Sequence, residues 1–234
     1  MTAEPDQIQG RGLLVHEWFE SFGGAEKVFD RFRSLAPDAD VITLWDDTET
    51  AAGTRRSRES YLARTPLRGH KALALPLMPS FWSSVDIGAY DWVLASSHAF
   101  SHHVGRPAQR REQQVFAYVH SPARYIWAPE FDHRGRHPLA RALAPALRSI
   151  DRRRAREGTH LAANSDFVRQ RIEKGWGVDS TVIHPPVDVS GLQAELDWRD
   201  RLGGDDLRQS DLLPPEYILG ASLFVLYKDL DRVI

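Results

Sequence analysis

The sequence contains no cysteine. Disulfides, thiolate metal ligands and a cysteine nucleophile are therefore excluded, and the chain suits a reducing compartment. It also lacks an excess of either charge. Lys and Arg number 30 and Asp and Glu 32, for a formal net charge of −2, so no global field calls for nucleic acid. No apolar run approaches the ~20 residues that cross a bilayer. The first residues, MTAEPDQIQGRG, are polar and have no apolar core of the kind a signal peptide needs. These absences lead us to expect a cytoplasmic protein, soluble or peripheral on the inner face of the membrane.

What is present is enough apolar material for a core: 42% of 234 residues are hydrophobic. Short apolar runs read as buried strands at Leu13 to Val15, Val41 to Leu44, Trp92 to Ala95, Val115 to Val119, Leu161 to Ala163 and Thr181 to Ile183. Helical spacing occupies Ala25 to Leu35, Leu139 to Ile150 and Phe167 to Lys174. Short continuous apolar strands alternating with helices predict an α/β fold, a parallel sheet with helices on both faces. Ligands of such sheets sit beyond the carboxyl ends of the strands. Gly23-Gly24, Ser96-Ser97-His98, His120-Ser121-Pro122 and Asn164-Ser165 all come after apolar runs there.

Each of these stretches has a plain reading beside a functional one. In HEWFESFGGAEKVF, residues 16 to 29, the two glycines permit a tight turn, or they leave the first N–H groups of a helix bare for an anion. Glu26 then falls in the first helical turn, where it complements the helix dipole or meets a ligand. His16 and Glu17 end the first apolar run and could touch an acceptor molecule. His120 directly follows a strand. Its imidazole could hydrogen-bond a ligand and shuttle a proton near pH 7, or tie down the loop Ser121 to Trp127. Arg124, Tyr125 and Trp127 suit sugar stacking or a phosphate-bearing molecule, or the two aromatics simply pack. Asn164 and Ser165 cap the next helix or line the site. His98, His102 and His103 do not read as a zinc site, because no carboxylate partner is near them in sequence. Arg134 to Arg156 forms a basic amphipathic segment with an apolar stripe of Leu139, Leu143, Ala146, Leu147 and Ile150. It could lie on an anionic membrane, or be a core helix with a solvated basic face.

After Ile183 the chain becomes polar, proline-bearing and aperiodic up to Glu216, which reads as a linker. Residues 217 to 225 begin a new strand and Lys228 to Ile234 a helix. This predicts a domain at 11–188, a linker at 189–216 and the truncated start of a second domain at 217–234.

Six motifs in order, HEW…GGAE, YD.V..SSHA, Y.HSP.RY.W, NS.FV..RI, VI.PPVD and YKDLDRVI, resemble the family 4 glycosyltransferases of bacteria. The likeness is nearest to mannosyl- and rhamnosyl-transferase-like members that build surface polysaccharides. It covers residues 11 to 188 and resumes at 217 to 234. The resemblance implies the N-terminal, Rossmann-like, acceptor-side half of a GT-B fold, with the donor nucleotide-sugar held by the C-terminal half. It implies sugar transfer from a nucleoside diphosphate to an acceptor hydroxyl, commonly with retention, and with no metal or other cofactor. By the same resemblance His120 is the catalytic histidine, Gly23 and Gly24 line the donor–acceptor cleft, and Lys228 meets the donor diphosphate. The family's Ser-Arg before that lysine is absent, and Leu223 stands at the arginine position. A leucine cannot replace a bidentate phosphate donor. The alternative is therefore a catalytically inactive, truncated module that retains acceptor or partner binding. The expected partners are a nucleotide-sugar donor, a sugar or lipid-linked acceptor, a membrane surface and a second copy docked on the exposed cleft, with no nucleic acid. A Rossmann-type dehydrogenase is disfavoured, since no G-x-G-x-x-G follows the first strand.

Overall fold

The computed structural model describes residues 8–20, 23–48, 57–105, 113–131, 138–157 and 159–187. The chain up to Pro186 forms one compact unit; Val187–Ile234 form a second, of which only Val187 is described. The expected linker, the segment 217–234 and Lys228 lie outside the described residues.

Among the described residues, seven strands form the sheet: β1 (Gly12–Phe19), β2 (Asp40–Asp46), β3 (Ser57–Glu59), β4 (Trp92–Ser97), β5 (Gln114–Val119), β6 (His160–Ala163) and β7 (Thr181–Val182). Their order is β3-β2-β1-β4-β5-β6-β7, and every neighbouring pair is parallel. Parallel neighbours need crossovers, and helices supply most of them. These are α1 (Gly24–Leu35), α2 (Lys71–Ala74), α3 (Met78–Ser84), α4 (Arg124–Trp127), α5 (Pro138–Ala155) and α6 (Asp166–Trp176).

Alternation along β1 creates two cores. Leu13 and Val15 enter the larger, which holds Trp82 of α3, Ile126 of α4, Leu147 of α5 and Ile172 and Trp176 of α6. Leu14 faces the other way, into a smaller core with Val41, Trp92 and Phe29 of α1. Both faces of the sheet are thus covered, as the uniformly apolar strands require. The observed fold is the expected Rossmann-like α/β sheet with helices on both faces.

Three details differ from the sequence reading. β1 does not stop at Val15 but runs on through His16, Glu17 and Trp18 to Phe19, all buried. β3, Ser-Arg-Glu, carries no apolar signal because it is an edge strand paired only to β2. The buried stripe of α5 is only in part the expected one: Leu147 is buried and Leu143 packs partly against the core, but the stripe is shifted. Ala140, Ala144, Leu147, Asp151 and Ala155 face inward, at helical spacing, while Ala146 is exposed.

Gly12 lies opposite Trp92 in the β1–β4 register. A Cβ on Gly12 would sit 1.9 Å from Trp92 Cζ2, so only glycine lets the indole lie across the strand. Gly12→Ala is expected to cost about 1–3 kcal/mol, because the ring must leave its seat. Thermal unfolding checks this; an unchanged midpoint would show that the indole has room to spare.

Candidate functional site

The strand order reverses between β1 and β4, and in open parallel sheets the crevice beyond the carboxyl ends at such a reversal is where ligands bind. The loop before α1, the loop after β4, His120 after β5 and Asn164-Ser165 after β6 all reach this edge.

Glu17 organises it. Its carboxylate is fully buried and accepts the backbone N–H groups of His98 at 3.3 Å, Ala99 at 2.8 Å and Ser101 at 2.7 Å. The Ser97 hydroxyl donates to it at 3.5 Å. These bonds hold the loop after β4 and the 3₁₀ turn Ser101–His103 next to it. The expectation that His16 and Glu17 touch an acceptor is therefore corrected: both are fully buried inside β1. His16 stacks on Phe19 at 4.8 Å between ring centroids and lies 5.1 Å from the ring of Phe29.

His120 lies at the edge, partly buried. Its Nε2 is 2.9 Å from Ser96 Oγ, and that oxygen is 3.1 Å from His16 Nδ1. Burial pushes the His120 imidazole down to about 4, against a raising effect from Glu17. Burial also holds His16 well below its ordinary value, and His98 and His120 lower it further. At neutral pH both rings are uncharged. His120 is then a hydrogen-bonding group rather than the proton shuttle expected from an ordinary histidine.

The remaining expected site residues divide. Asn164 Nδ2 donates to the His120 carbonyl at 3.2 Å, and its Oδ1 accepts from Ser165 Oγ at 2.9 Å. Ser165 caps α6, accepting the Val168 N–H at 3.4 Å. This pair ties the ends of β5 and β6 together behind His120. Arg124 opens α4 beside Arg171 of α6. Burial, then the charge of Arg124, lowers Arg171, while Glu130 opposes the shift. Arg171 Nη1 donates to Ser121 Oγ at 3.4 Å. Next to this pair a groove of about 530 Å³ is lined by Trp127, Phe167, Gln170, Arg171 and Lys174, among others.

Gly23 and Gly24 behave differently from each other. Glu26 is buried, folds back over Gly23, and accepts the Glu20 N–H at 3.3 Å. Burial raises its carboxyl. A Cβ on Gly23 would lie 1.6 Å from Glu26 Oε2, whereas one on Gly24 would meet nothing within 4 Å. The space that Gly23 leaves is filled by the protein's own carboxylate. At Gly24, among the described residues, a side chain would find open space.

Asp151, which the sequence reading missed, sits fully buried on the inward stripe of α5. Its Oδ2 accepts the indole N–H of Trp127 at 2.6 Å and of Trp176 at 2.7 Å. Its Oδ1 is 2.8 Å from His103 Nε2. His102 Nε2 lies 3.1 Å from the same oxygen, off the line of a hydrogen bond, and its Nδ1 is 3.0 Å from Ser97 Oγ. Burial lowers His103 to about 4. Burial opposes ionisation of Asp151, but the two histidines outweigh it and hold the carboxyl below the ordinary range. The carboxylate partner thought to be missing from His102 and His103 is therefore Asp151, and only its place in the helical repeat could have revealed it.

Two sets of side chains, His16–Glu17–His98 and His102–His103–Asp151, bring their polar atoms close enough to hold a cation. In both sets the carboxylate oxygens already accept protein donors. A cation at either place would displace the bonds that shape the loop or join the helices.

The arginine-rich segment also resolves. Arg148, Arg152, Arg154 and Arg156 donate to the carbonyls of Ile126, Gly175, His103 and Trp176. They bind α5 and its C-terminal end to their neighbours; of the four, Arg154 is buried, while Arg152 and Arg156 remain exposed. No helix among the described residues is long and apolar enough to cross a membrane.

This geometry has two measurable consequences. His16, His103 and His120 are neutral in the fold, while the unfolded chain protonates them below about pH 6.5. Stability is complete above that pH and falls as pH drops toward 4, by up to about 1.4 kcal/mol per pH unit for each ring. Chemical denaturation at several pH values checks the slope, and His120→Gln should flatten it. Separately, Gly24→Ala should leave the melting temperature unchanged or raise it, by up to about 1 kcal/mol of helix propensity. Gly23→Ala should lower it by unseating Glu26, and equal effects at the two positions would contradict the geometry.

A family model described as Glycosyltransferase Family 4 matches residues 22–190. No curated protein and no solved structure matches the chain. The match spans the strands after β1, the start of α1, His120 and the Asn164-Ser165 step, and the chain belongs to glycosyltransferase family 4.

Proposed function

We propose that this domain is the acceptor side of a GT-B glycosyltransferase. It helps move a sugar, of the mannose or rhamnose class, from a nucleoside diphosphate to an acceptor hydroxyl in surface polysaccharide or glycolipid synthesis. The transfer retains anomeric configuration and uses no metal. The enzyme works in the cytoplasm, at the inner face of the membrane when its acceptor is lipid-linked.

One observation carries this reading. A neutral imidazole at the end of β5 stands at the same sheet edge as the N-terminus of α1, where Gly24 is exposed. A sugar hydroxyl can be held by the first. Charge growing on a leaving diphosphate can be met by first-turn N–H groups of the second, beside Gly24, by fixed dipoles and without proton transfer. Arg124 and Arg171, two cations brought together at the rim, favour an acceptor that carries phosphate. The groove beside them offers aromatic faces on which a sugar ring can lie. Lys228 would meet the donor diphosphate from the other half of the fold.

The test is transfer of labelled sugar from a panel of nucleoside-diphosphate hexoses to polyprenyl-phosphate-linked and free saccharide acceptors. Binding of the same donors is followed by calorimetry. His120→Ala should lower kcat by about 100-fold or more, through loss of one fixed hydrogen-bond donor, in a chain that still folds. Arg124→Ala should raise KM for phosphorylated acceptors only. A folded wild-type chain that binds an acceptor but never transfers sugar would replace this reading with that of a binding module without turnover.

A further inference from the structure

His16, Ser96 and His120 come from three adjacent strands or strand ends. His16 is in register with Ser96, and Ser96 with Tyr118. His120 lies two residues beyond Tyr118, so the pleat carries its side chain to the same face. Ser96 is fully buried, and its position is set by strand pairing on both sides. Its hydroxyl oxygen is 3.1 Å from His16 Nδ1 and 2.9 Å from His120 Nε2.

A serine hydroxyl has one proton. Placed between two neutral imidazoles, it donates to one and accepts from the other. If His16 donates from Nδ1, Ser96 donates to His120 Nε2, and the proton of His120 is on Nδ1. If His120 donates from Nε2, Ser96 donates to His16 Nδ1, and the proton of His16 is on Nε2. Both rings therefore carry their protons on like-named nitrogens, and the other nitrogen of His16 decides which. His16 Nε2 is buried without a hydrogen-bond partner among the described residues. The rings of Phe19 and Phe29 beside it offer no lone pair, and the ring of His98, 5.4 Å away between centroids, makes no hydrogen bond to this atom. An orphaned buried N–H is rarer in folded proteins than an under-used acceptor. The arrangement that leaves a lone pair at that atom, and not an N–H, is the first.

We propose that Ser96 is a positioning residue that locks the tautomers of His16 and His120 together, so that His120 presents its Nδ1–H to the cleft. Resting on the glycosyltransferase reading above, this makes His120 a hydrogen-bond donor to an oxygen of the sugar or phosphate. The first serine of Ser96-Ser97-His98, which the sequence marks only as part of a loop, thereby sets the polarity of the site.

The experiment is long-range proton–nitrogen correlation NMR on the full chain labelled with 15N-histidine, at neutral pH and without ligand. His16→Gln and His120→Gln assign the two rings. The expected spectrum shows both rings protonated on Nδ1. Ser96→Ala should move His120 off the pure Nδ1–H form, and Ser96→Thr, which restores the hydroxyl, should return it. Rings protonated on unlike nitrogens, or both on Nε2, overturn the proposal on the wild-type spectrum alone, whether or not the alanine variant folds. An unchanged His120 tautomer in a folded Ser96→Ala chain overturns it as well. Failure of sugar transfer with both rings on Nδ1 would sink the proposed reaction and leave the Ser96 lock standing.

Discussion

The carboxylate of Glu17 is the interaction on which the rest of the ligand-facing edge depends. A charge buried in a parallel sheet is costly unless hydrogen bonds replace its water. Here three backbone N–H groups and one hydroxyl do so. The same bonds fold the chain after β4 into the turn Ser101–His103, and that turn delivers His102 and His103 to Asp151. Asp151 then joins α5 to Trp127 of α4 and Trp176 of α6. Two buried carboxylates in series thus connect the first strand to α6, the last helix among the described residues. Removing either would leave several aimed donors without an acceptor, which costs more than the loss of one bond.

This construction sets the chemical character of the edge. His16 and His120 are packed too deeply to take up a second proton at neutral pH, so their contribution is hydrogen-bond direction and shape. Glycosyl transfer with a diphosphate leaving group suits such a site, because much of the work lies in placing fixed dipoles where charge will grow. At the rim Arg124 and Arg171 are half-buried, and Arg171 donates to Ser121 Oγ. Arg148, Arg152 and Arg154 of α5 are instead turned to backbone carbonyls. Of these, Arg154 is buried, while Arg152 is anchored by its carbonyl bond and still exposed.

Much of the fold was legible because parallel strands buried on both faces must read as short apolar runs. Leu13 to Val15, Trp92 to Ala95 and Val115 to Val119 each lie within an observed strand. The edge at which the candidate residues gather was legible for the same reason: residues just past the strands of such a sheet emerge together. β3 was not legible, since an edge strand paired on one side has little to bury. Nor was the extent of β1, because His16 and Glu17 look like loop residues until their partners across the sheet are known. Asp151 sat in plain view at the spacing of Ala144, Leu147 and Ala155, hidden only because a carboxylate is not expected on an apolar stripe.

Local patterns read along one chain were enough to set the class of fold, the edge at which His120, Gly24 and Asn164 gather, and the family. Which polar side chains face ligand, and which face one another, was settled by the folded arrangement alone. Glu26 turned back onto Gly23, Glu17 turned inward to the loop after β4, and Ser96 fell between two histidines 80 and 24 residues away. Hydrogen-bond partners of a buried polar group are chosen by strand register and packing across the sheet. That information belongs to pairs of distant residues, and no single stretch of sequence contains it.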